Sequence, residues 1–503
     1  MLLGVSAPTL SRPRPARRAT DGSSGRGGGW GGIPTRTWER VCAGVVCVCA
    51  AAGFLLYPTY PNYDSVYSLL WGRELLHLEP LSFQAYRAPT EHPLAIAIGA
   101  LLSLAGNGAD RLFVALTVAT FVALVFGLYA FGRTAFTPLV GLVAAGLVIT
   151  RFDFPFLAAR GYIDPGYLAL IVWAAVLELR RPRRGYAVLV LLMLASMLRP
   201  EAWLLSGLYV LWAGWRTSWR RRFAFAAIAA VGPVAWALTD LLVTGDPLFS
   251  FTGTSELADE LGRNKGVGAV PSATWTFLIQ LAKLPVVAGG IAGFVLALLL
   301  TPRRLVMPLV LFGCGVGTFA LVSAGGLSVI SRYLLVPSLM VMVLCGVAVG
   351  GWTMLREGSR LRRLWAAGAI ALVLFGVVFT ATRVSLVRLD SELSFRGDAH
   401  KAFMALIAQP GFKRGLACGP VYTPNHKLVP DVRWYLGLPE DRVIARSSTD
   451  EVPRRGLVIL VHGRQALFKQ ALVTDLDDPA DSLPPPGFQR TAVTEYYAAY
   501  VRC

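Results

Sequence analysis

Apolar runs recur along the chain from residue 41 to residue 382, separated by short polar stretches rich in arginine. Read as helices, they predict spans at 41–57, 112–131, 138–151, 165–179, 186–199, 202–215, 223–243, 275–300, 305–323, 337–355 and 364–382. That is about eleven crossings of the kind a bilayer demands. After Thr382 the pattern changes. GLVILVH (456–462) and RTAVTEYYAAYVRC (490–503) read as strands, SLPPPG (482–487) as a loop, and a helix is expected around 398–408. The expected fold is thus an α-helical polytopic membrane protein with a small C-terminal α/β domain over 383–503. Residues 1–39, rich in Arg, Gly, Ser and Pro, read as a disordered basic tail, leaving 40–382 as the membrane domain.

Composition agrees with a membrane protein: 55% of residues are hydrophobic, 16% are charged and mean hydropathy is +0.55. The formal net charge of +18 invites a nucleic-acid reading. Its distribution excludes one, because the arginines cluster at span ends. Arg133, Arg180–Arg184, Arg216–Arg222, Arg303–Arg304 and Arg356–Arg363 follow the second, fourth, sixth, eighth and tenth spans. With the N-terminus inside, every cluster is cytoplasmic. The short apolar run HPLAIAIGALLSLAG (92–106) must then lie at the surface or dip in and return, since a crossing there would turn the later clusters outward. The expected protein is a multi-pass plasma-membrane protein with a cytoplasmic N-terminus and an extracytoplasmic C-terminal domain. The run 41–56 follows Arg36 and Arg40 and reads as an uncleaved signal anchor.

That topology puts 58–111, 152–164, 198–203, 244–274 and 324–333 on one outer face. Cys42, Cys47, Cys49, Cys314 and Cys345 fall in spans as small packing residues. Cys418 and Cys503 share the outer domain and can pair there, although spacing does not supply the geometry. His400, His426 and His462 are scattered without metal-ligand spacing.

The chemistry-bearing residues of the outer segments are acids and arginines. Asp64 stands in NYDSVYSLLWGRELL (62–76), beside Tyr60, Tyr63, Tyr67 and Trp71, and Asp164 opens the span after FDFPFLAARGYID (152–164). Alone, each acid reads as an interfacial residue. Two on one face suit a general base. Arg87, Arg160, Arg199, Lys265 and Arg332 are candidate cations for a phosphate leaving group, and Arg suits that task through its bidentate fork. Glu201 lies two residues from Arg199, which gives that pair a structural reading as well.

NYDSVYSLLWGRELL, APTEHPL (88–94) and ARGYIDPGYLAL (159–170) together resemble the GT-C superfamily of membrane glycosyltransferases. The nearest likeness is to the protein O-mannosyltransferase and lipid A aminoarabinose transferase branch. LRPEAW (198–203) and TGDPLFS (244–250) look like an actinobacterial-type multispan group. The resemblance covers roughly 41–340 and implies interfacial helices in the first outer loop and a polyprenyl-phosphate sugar donor. It implies a glycan, lipid or protein acceptor, and Asp64 as catalytic base with Asp164 as the second-loop acid. It also assigns substrate contacts to His92, at the start of an interfacial helix, and to Arg332, on the lipid phosphate. Ser65 stands where the O-mannosyltransferases carry a second acid, which argues against a protein acceptor. A divalent metal is not favoured, because no DxD-type pattern is present. A transporter or a non-catalytic envelope-assembly scaffold is the alternative reading.

Overall fold

The computed structural model describes residues 35–57, 59–263, 265–383, 387–449, 451–463, 466 and 479–503. The tail expected at 1–39 lies outside them, except that Thr35 already opens the first helix. The chain divides into two units, Met1–Val46 and Cys47–Cys503, and the second carries every helix after the first together with the sheet.

The chain is mostly helical. After α1 (Thr35–Leu56) come α2 (Tyr63–Leu76), α3 (Pro93–Ser103), α4 (Ala109–Ala135), α5 (Pro138–Thr150), α6 (Asp153–Ala159), α7 (Asp164–Arg180), α8 (Tyr186–Leu198) and α9 (Ala202–Gly214). The series continues with α10 (Trp219–Thr244), α11 (Phe249–Glu260), α12 (Val270–Ala282), α13 (Leu284–Leu300), α14 (Pro302–Ala324), α15 (Leu335–Gly350) and α16 (Arg360–Arg383). Among the described residues, six helices are long and apolar enough to cross a membrane, or eight if two bent pairs each count once. This is fewer than the eleven expected. Helices α8 and α9 have 13 residues each, about 20 Å at 1.5 Å per residue against a hydrocarbon core near 30 Å. The span expected at 275–300 is two helices, α12 and α13, set at 108°. The break falls at Lys283, whose φ is +73°. Pro285 follows, with no N–H to continue a helix and a ring that crowds the preceding turn. The run at 92–106 supplies only the 11-residue α3.

Helix α2 is unusual in being buried along most of its length. It crosses α3 in backbone contact. A Cβ on Gly72 would meet the Ala100 nitrogen at 2.3 Å, and one on Gly99 would meet the Ser68 carbonyl at 2.2 Å. Only glycine fits at either position, so the crossing is fixed by sequence.

The C-terminal part begins with α17 (Val387–Ala408) and α18 (Pro410–Gly415), and includes α19 (Val429–Leu436). Strands β1 (Val421–Thr423), β2 (Val443–Ala445), β3 (Gly456–Val461), β4 (Gln489–Val493) and β5 (Tyr497–Arg502) form one sheet in the order β2-β1-β3-β5-β4. The β1 pairings are parallel and those of β5 antiparallel. Phe395, Phe403, Phe412, Val432, Leu457 and Ile459 centre its core. Cys418 and Cys503 form a disulfide, with Cα atoms 4.7 Å apart, and so tie the chain end to the turn before β1.

This domain docks on α2. Arg433 donates from Nη2 to Glu74 Oε1 at 2.7 Å and from Nη1 to Ser82 Oγ at 2.9 Å, and the Ser82 backbone N–H donates to Glu74 Oε2 at 3.0 Å. Arg73 donates to the carbonyls of Trp434 (3.0 Å) and Arg433 (3.2 Å) and stacks on the Trp434 ring. Glu74 and Arg433 are both buried. Removing one partner strands a buried charge, so Glu74→Ala should destabilise the protein by about 3–5 kcal/mol. Thermal unfolding of the purified protein checks this; a change within the error of the melt would contradict it.

Candidate functional site

The site is built where the segments before α2 and before α7 are laced together. Asn62 caps α2 by accepting from the Asp64 backbone N–H at 2.8 Å. Its own N–H donates to the Arg160 carbonyl at 2.7 Å, and the Ser65 hydroxyl donates to the Gly161 carbonyl at 2.6 Å. Arg160 returns a bond from Nη1 to the Tyr60 carbonyl at 3.0 Å and stacks on the Tyr60 ring. This brings the first turn of α2 beside the first turn of α7. Each turn carries an acid, Asp64 and Asp164, where a helix dipole favours negative charge.

Arg332, in the short turn Ser331–Leu334 ahead of α15, lies between the two acids. Its Nη1 donates to Asp64 Oδ2 at 3.1 Å and its Nη2 to Asp164 Oδ2 at 2.9 Å. Arg199 approaches Asp164 Oδ1 from the other side at 2.6 Å and holds Glu201 Oε1, also at 2.6 Å. The result is an alternating row, Asp64–Arg332–Asp164–Arg199–Glu201, with one more carboxylate than guanidinium. Tyr162 lies under the Arg332 guanidinium at 4.9 Å. The row runs from surface to interior: the Asp64 side chain is 31% exposed, Arg332 27%, Asp164 0% and Arg199 6%. Only the Asp64–Arg332 end of the row reaches solvent; Asp164 and Arg199 are buried.

A cavity of about 420 Å³ lies among α3, α4, α7 and α8. Apart from Thr117 and Thr120 its lining is apolar, including Leu94, Ile98, Phe113, Ile163, Leu170 and Leu198. Ile163 and Leu198 immediately precede Asp164 and Arg199, so the apolar space abuts the charged row. His92, also next to this cavity through Leu94, is packed edge-on against Trp236. Burial, with Arg199 and Arg332 nearby, pushes its imidazole down to about 3, so it is neutral at physiological pH.

The other expected residues lie elsewhere. Arg87 pairs with Glu260 at 3.4 Å, stacks on Tyr86, and its carbonyl accepts from the Tyr63 hydroxyl. Arg160 is taken up in lacing the two loops. Lys265 holds Asp259 and the Ser255 carbonyl. The two carboxylates best placed for a divalent ion hold Arg332 between them, and no three His, Cys, Asp or Glu side chains cluster among the described residues.

Two features carry no local signal in the sequence. Tyr162 sits inside ARGYIDPGYLAL, yet its role depends on an arginine far along the chain. Glu91 and Asp240, both buried, share Ser250: its hydroxyl oxygen lies 2.9 Å from Glu91 Oε2 and 2.7 Å from Asp240 Oδ1, while its N–H donates to Asp240 Oδ2 at 2.8 Å. One hydroxyl proton cannot serve both acids, so a proton on Glu91, donated to Ser250 Oγ, completes the chain. Thr90 and Thr254 hydroxyls bond alongside at 2.7 Å, and Ser255 donates to the Gly326 carbonyl at 3.1 Å. Helix α11 is thereby strapped between loop 88–92 and the segment that leads to Arg332.

No family model matches the chain, and no curated protein matches it. Among solved structures, the chain is similar to the Archaeoglobus fulgidus oligosaccharyltransferase, crystallised tethered to an acceptor peptide containing the NVT sequon. Identity is 12%, the TM-score is 0.48, and the match covers 82% of this chain and 64% of the other. The chain thus spans less than two thirds of the length of that protein, and a likeness this distant assigns no family.

Burial raises the Glu91 carboxyl to about 7. Between the ordinary carboxylate range and pH 7 the folded protein therefore keeps a proton that the unfolded chain has released. The stabilisation tied to this one proton should be full in acid and be lost as pH rises through that window, by on the order of 3 kcal/mol. Glu91→Gln should flatten the decline in unfolding midpoint between pH 4.5 and 8. An unchanged slope in the variant would contradict the assignment.

Proposed function

We propose that the chain is a glycosyltransferase, moving a hexose or pentose from a polyprenyl-phosphate donor to a hydroxyl of an envelope acceptor on the outer face of the plasma membrane. The observation that carries this reading is the Asp64–Arg332 pair, partly in solvent and held by a buried ionic row, together with an apolar cavity whose lining residues Ile163 and Leu198 adjoin Asp164 and Arg199 in the chain. An acid that can face a polar substrate, a guanidinium suited to phosphate and an apolar space suited to an isoprenoid chain thus occur in one part of the fold.

In this reading the prenyl chain occupies the cavity and the phosphate stands at Arg332. The acceptor oxygen attacks the anomeric carbon, the carbon–oxygen bond to phosphate breaks, and the electron pair leaves with the prenyl phosphate. Asp64 takes the acceptor proton on Oδ1, which has no hydrogen-bond partner among the described residues. Arg332 then faces the charge developing on the phosphate, with Asp164 and Arg199 fixing its orientation. His92, neutral, lines the approach without adding charge. Arg87 and Arg160 act by positioning Tyr63 and the 57–62 loop.

The reading takes the N-terminus as cytoplasmic and the C-terminal domain as extracytoplasmic. The Cys418–Cys503 disulfide suits an oxidising compartment and supports that side assignment. About eleven crossings, as expected from charge parity, would need α7, α8 and α9 to serve as short spans in a locally thinned bilayer. The proposed domains are a basic tail over 1–39, a catalytic membrane domain over 40–382 and an outer domain over 383–503.

The test is a transfer assay with the full-length protein in liposomes, radiolabelled polyprenyl-phosphate hexoses and pentoses, and an envelope extract as acceptor. Wild type should move label from one donor, and Asp64→Asn, folded by thermal melt, should lose about a hundredfold or more of that rate. Equal transfer by the two proteins would remove Asp64 from the chemistry.

A further inference from the structure

A second charged site stands over a second apolar groove, on helices that the row Asp64–Glu201 does not use. The groove, about 500 Å³, lies among α5, α13, α15 and α16. Val143, Leu147, Val286, Leu372, Gly376 and Val377 line its apolar length, and Arg151 stands at one end. It shares no lining residue with the cavity among α3, α4, α7 and α8.

Arg151 is an unusual side chain to find there. It is 8% exposed, its Nη1 makes one long bond of 3.4 Å to the Ala282 carbonyl, and its Nε is buried with no hydrogen-bond partner among the described residues. A buried guanidinium with an unmet donor is costly unless an acceptor completes it. Two helix breaks set the position. The α5–α6 break puts Arg151 just after α5, and the α12–α13 break puts Lys283 opposite. Asp153, the acid facing them, interacts with Lys283, Arg388 and Arg151. Arg388 also lies over the Phe152 ring at 4.8 Å. Arg151 is the one charged residue among those lining this hydrocarbon groove.

We propose that this groove is a binding site for a membrane lipid with a phosphate headgroup, its chain lying between α5, α13, α15 and α16 and its phosphate accepting from Arg151. Charge selects the head and the groove takes the chain. The site is independent of the proposed transfer reaction, and its test does not depend on activity.

The experiment is native mass spectrometry of the full-length protein released from detergent, titrated with dioleoyl phosphatidylglycerol, with dioleoyl phosphatidylcholine, and with inorganic phosphate alone. Two variants accompany wild type. Arg151→Gln removes the charge. Gly376→Phe fills the groove, starting from a position whose Cβ would meet nothing within 4 Å. Wild type should retain phosphatidylglycerol about tenfold more tightly than phosphatidylcholine. Arg151→Gln should abolish that preference, and Gly376→Phe should weaken retention of both lipids. Inorganic phosphate alone should not be retained. The proposal is overturned if both folded variants bind phosphatidylglycerol as wild type does, if the two lipids bind equally to wild type, or if inorganic phosphate binds as well as the lipid.

Discussion

Arg332 is the residue on which the site depends. It reaches Asp64 with one nitrogen and Asp164 with another, and so joins the first turn of α2 to the first turn of α7. Both carboxylates bond the same guanidinium, and one of them is fully buried. Arg332 supplies the first neutralising charge and Arg199 the second. The surplus carboxylate in the row leaves it able to accept a proton or to face a further cation. The buried members need the row to be complete: an isolated Asp164 at 0% exposure would be expensive, whereas the paired one anchors the exposed pair.

Around this row the fold is arranged so that little can move independently. Helix α2 is gripped on one face by α3 through Gly72 and Gly99, and on another by α19 through Glu74 and Arg433. The C-terminal domain is therefore a part of the scaffold that sets Asp64, and its contacts reach further than α2. Tyr435 donates to Asp110 at 2.7 Å, His400 stacks on Tyr60, and Tyr86 donates to the Ser447 carbonyl at 2.8 Å. The histidines His400 and His426, without metal spacing in the sequence, prove to be aromatic packing partners at this contact. Helix α11, strapped to the loop before α3 by Ser250 and Thr254, closes the remaining side.

Much of this was legible in the sequence, and the limits are physical. Apolar periodicity marks nearly every helix, because burial in lipid or protein demands it. It does not mark how long a helix runs once a proline intervenes, which is why 275–300 divides at Lys283. Local motifs identified Asp64, Asp164, Arg199 and Arg332 as chemistry-bearing, since charged groups in apolar surroundings need a reason. Their pairing was not legible: Arg332 lies 168 residues from one partner and 268 from the other. For the same reason nothing local marks Arg73 and Glu74 as the residues that hold α19, and Arg151 passed as a span end. Arg87 and Arg160 carried the right chemistry in the right segments, but the local backbone turned them to neighbouring loops.

The central claim of the proposal is that Asp64 takes a proton and Arg332 meets the leaving phosphate, while the buried members of the row hold that pair in place. Chemical rescue tests this most directly. Once the donor sugar is known, transfer by Asp64→Ala would be measured with and without added formate, beside Asp164→Ala. The account predicts little transfer by Asp64→Ala alone, partial return with formate at the vacated, solvent-open position, and no return for the buried Asp164→Ala. Transfer by Asp64→Ala at the wild-type rate without formate would contradict it.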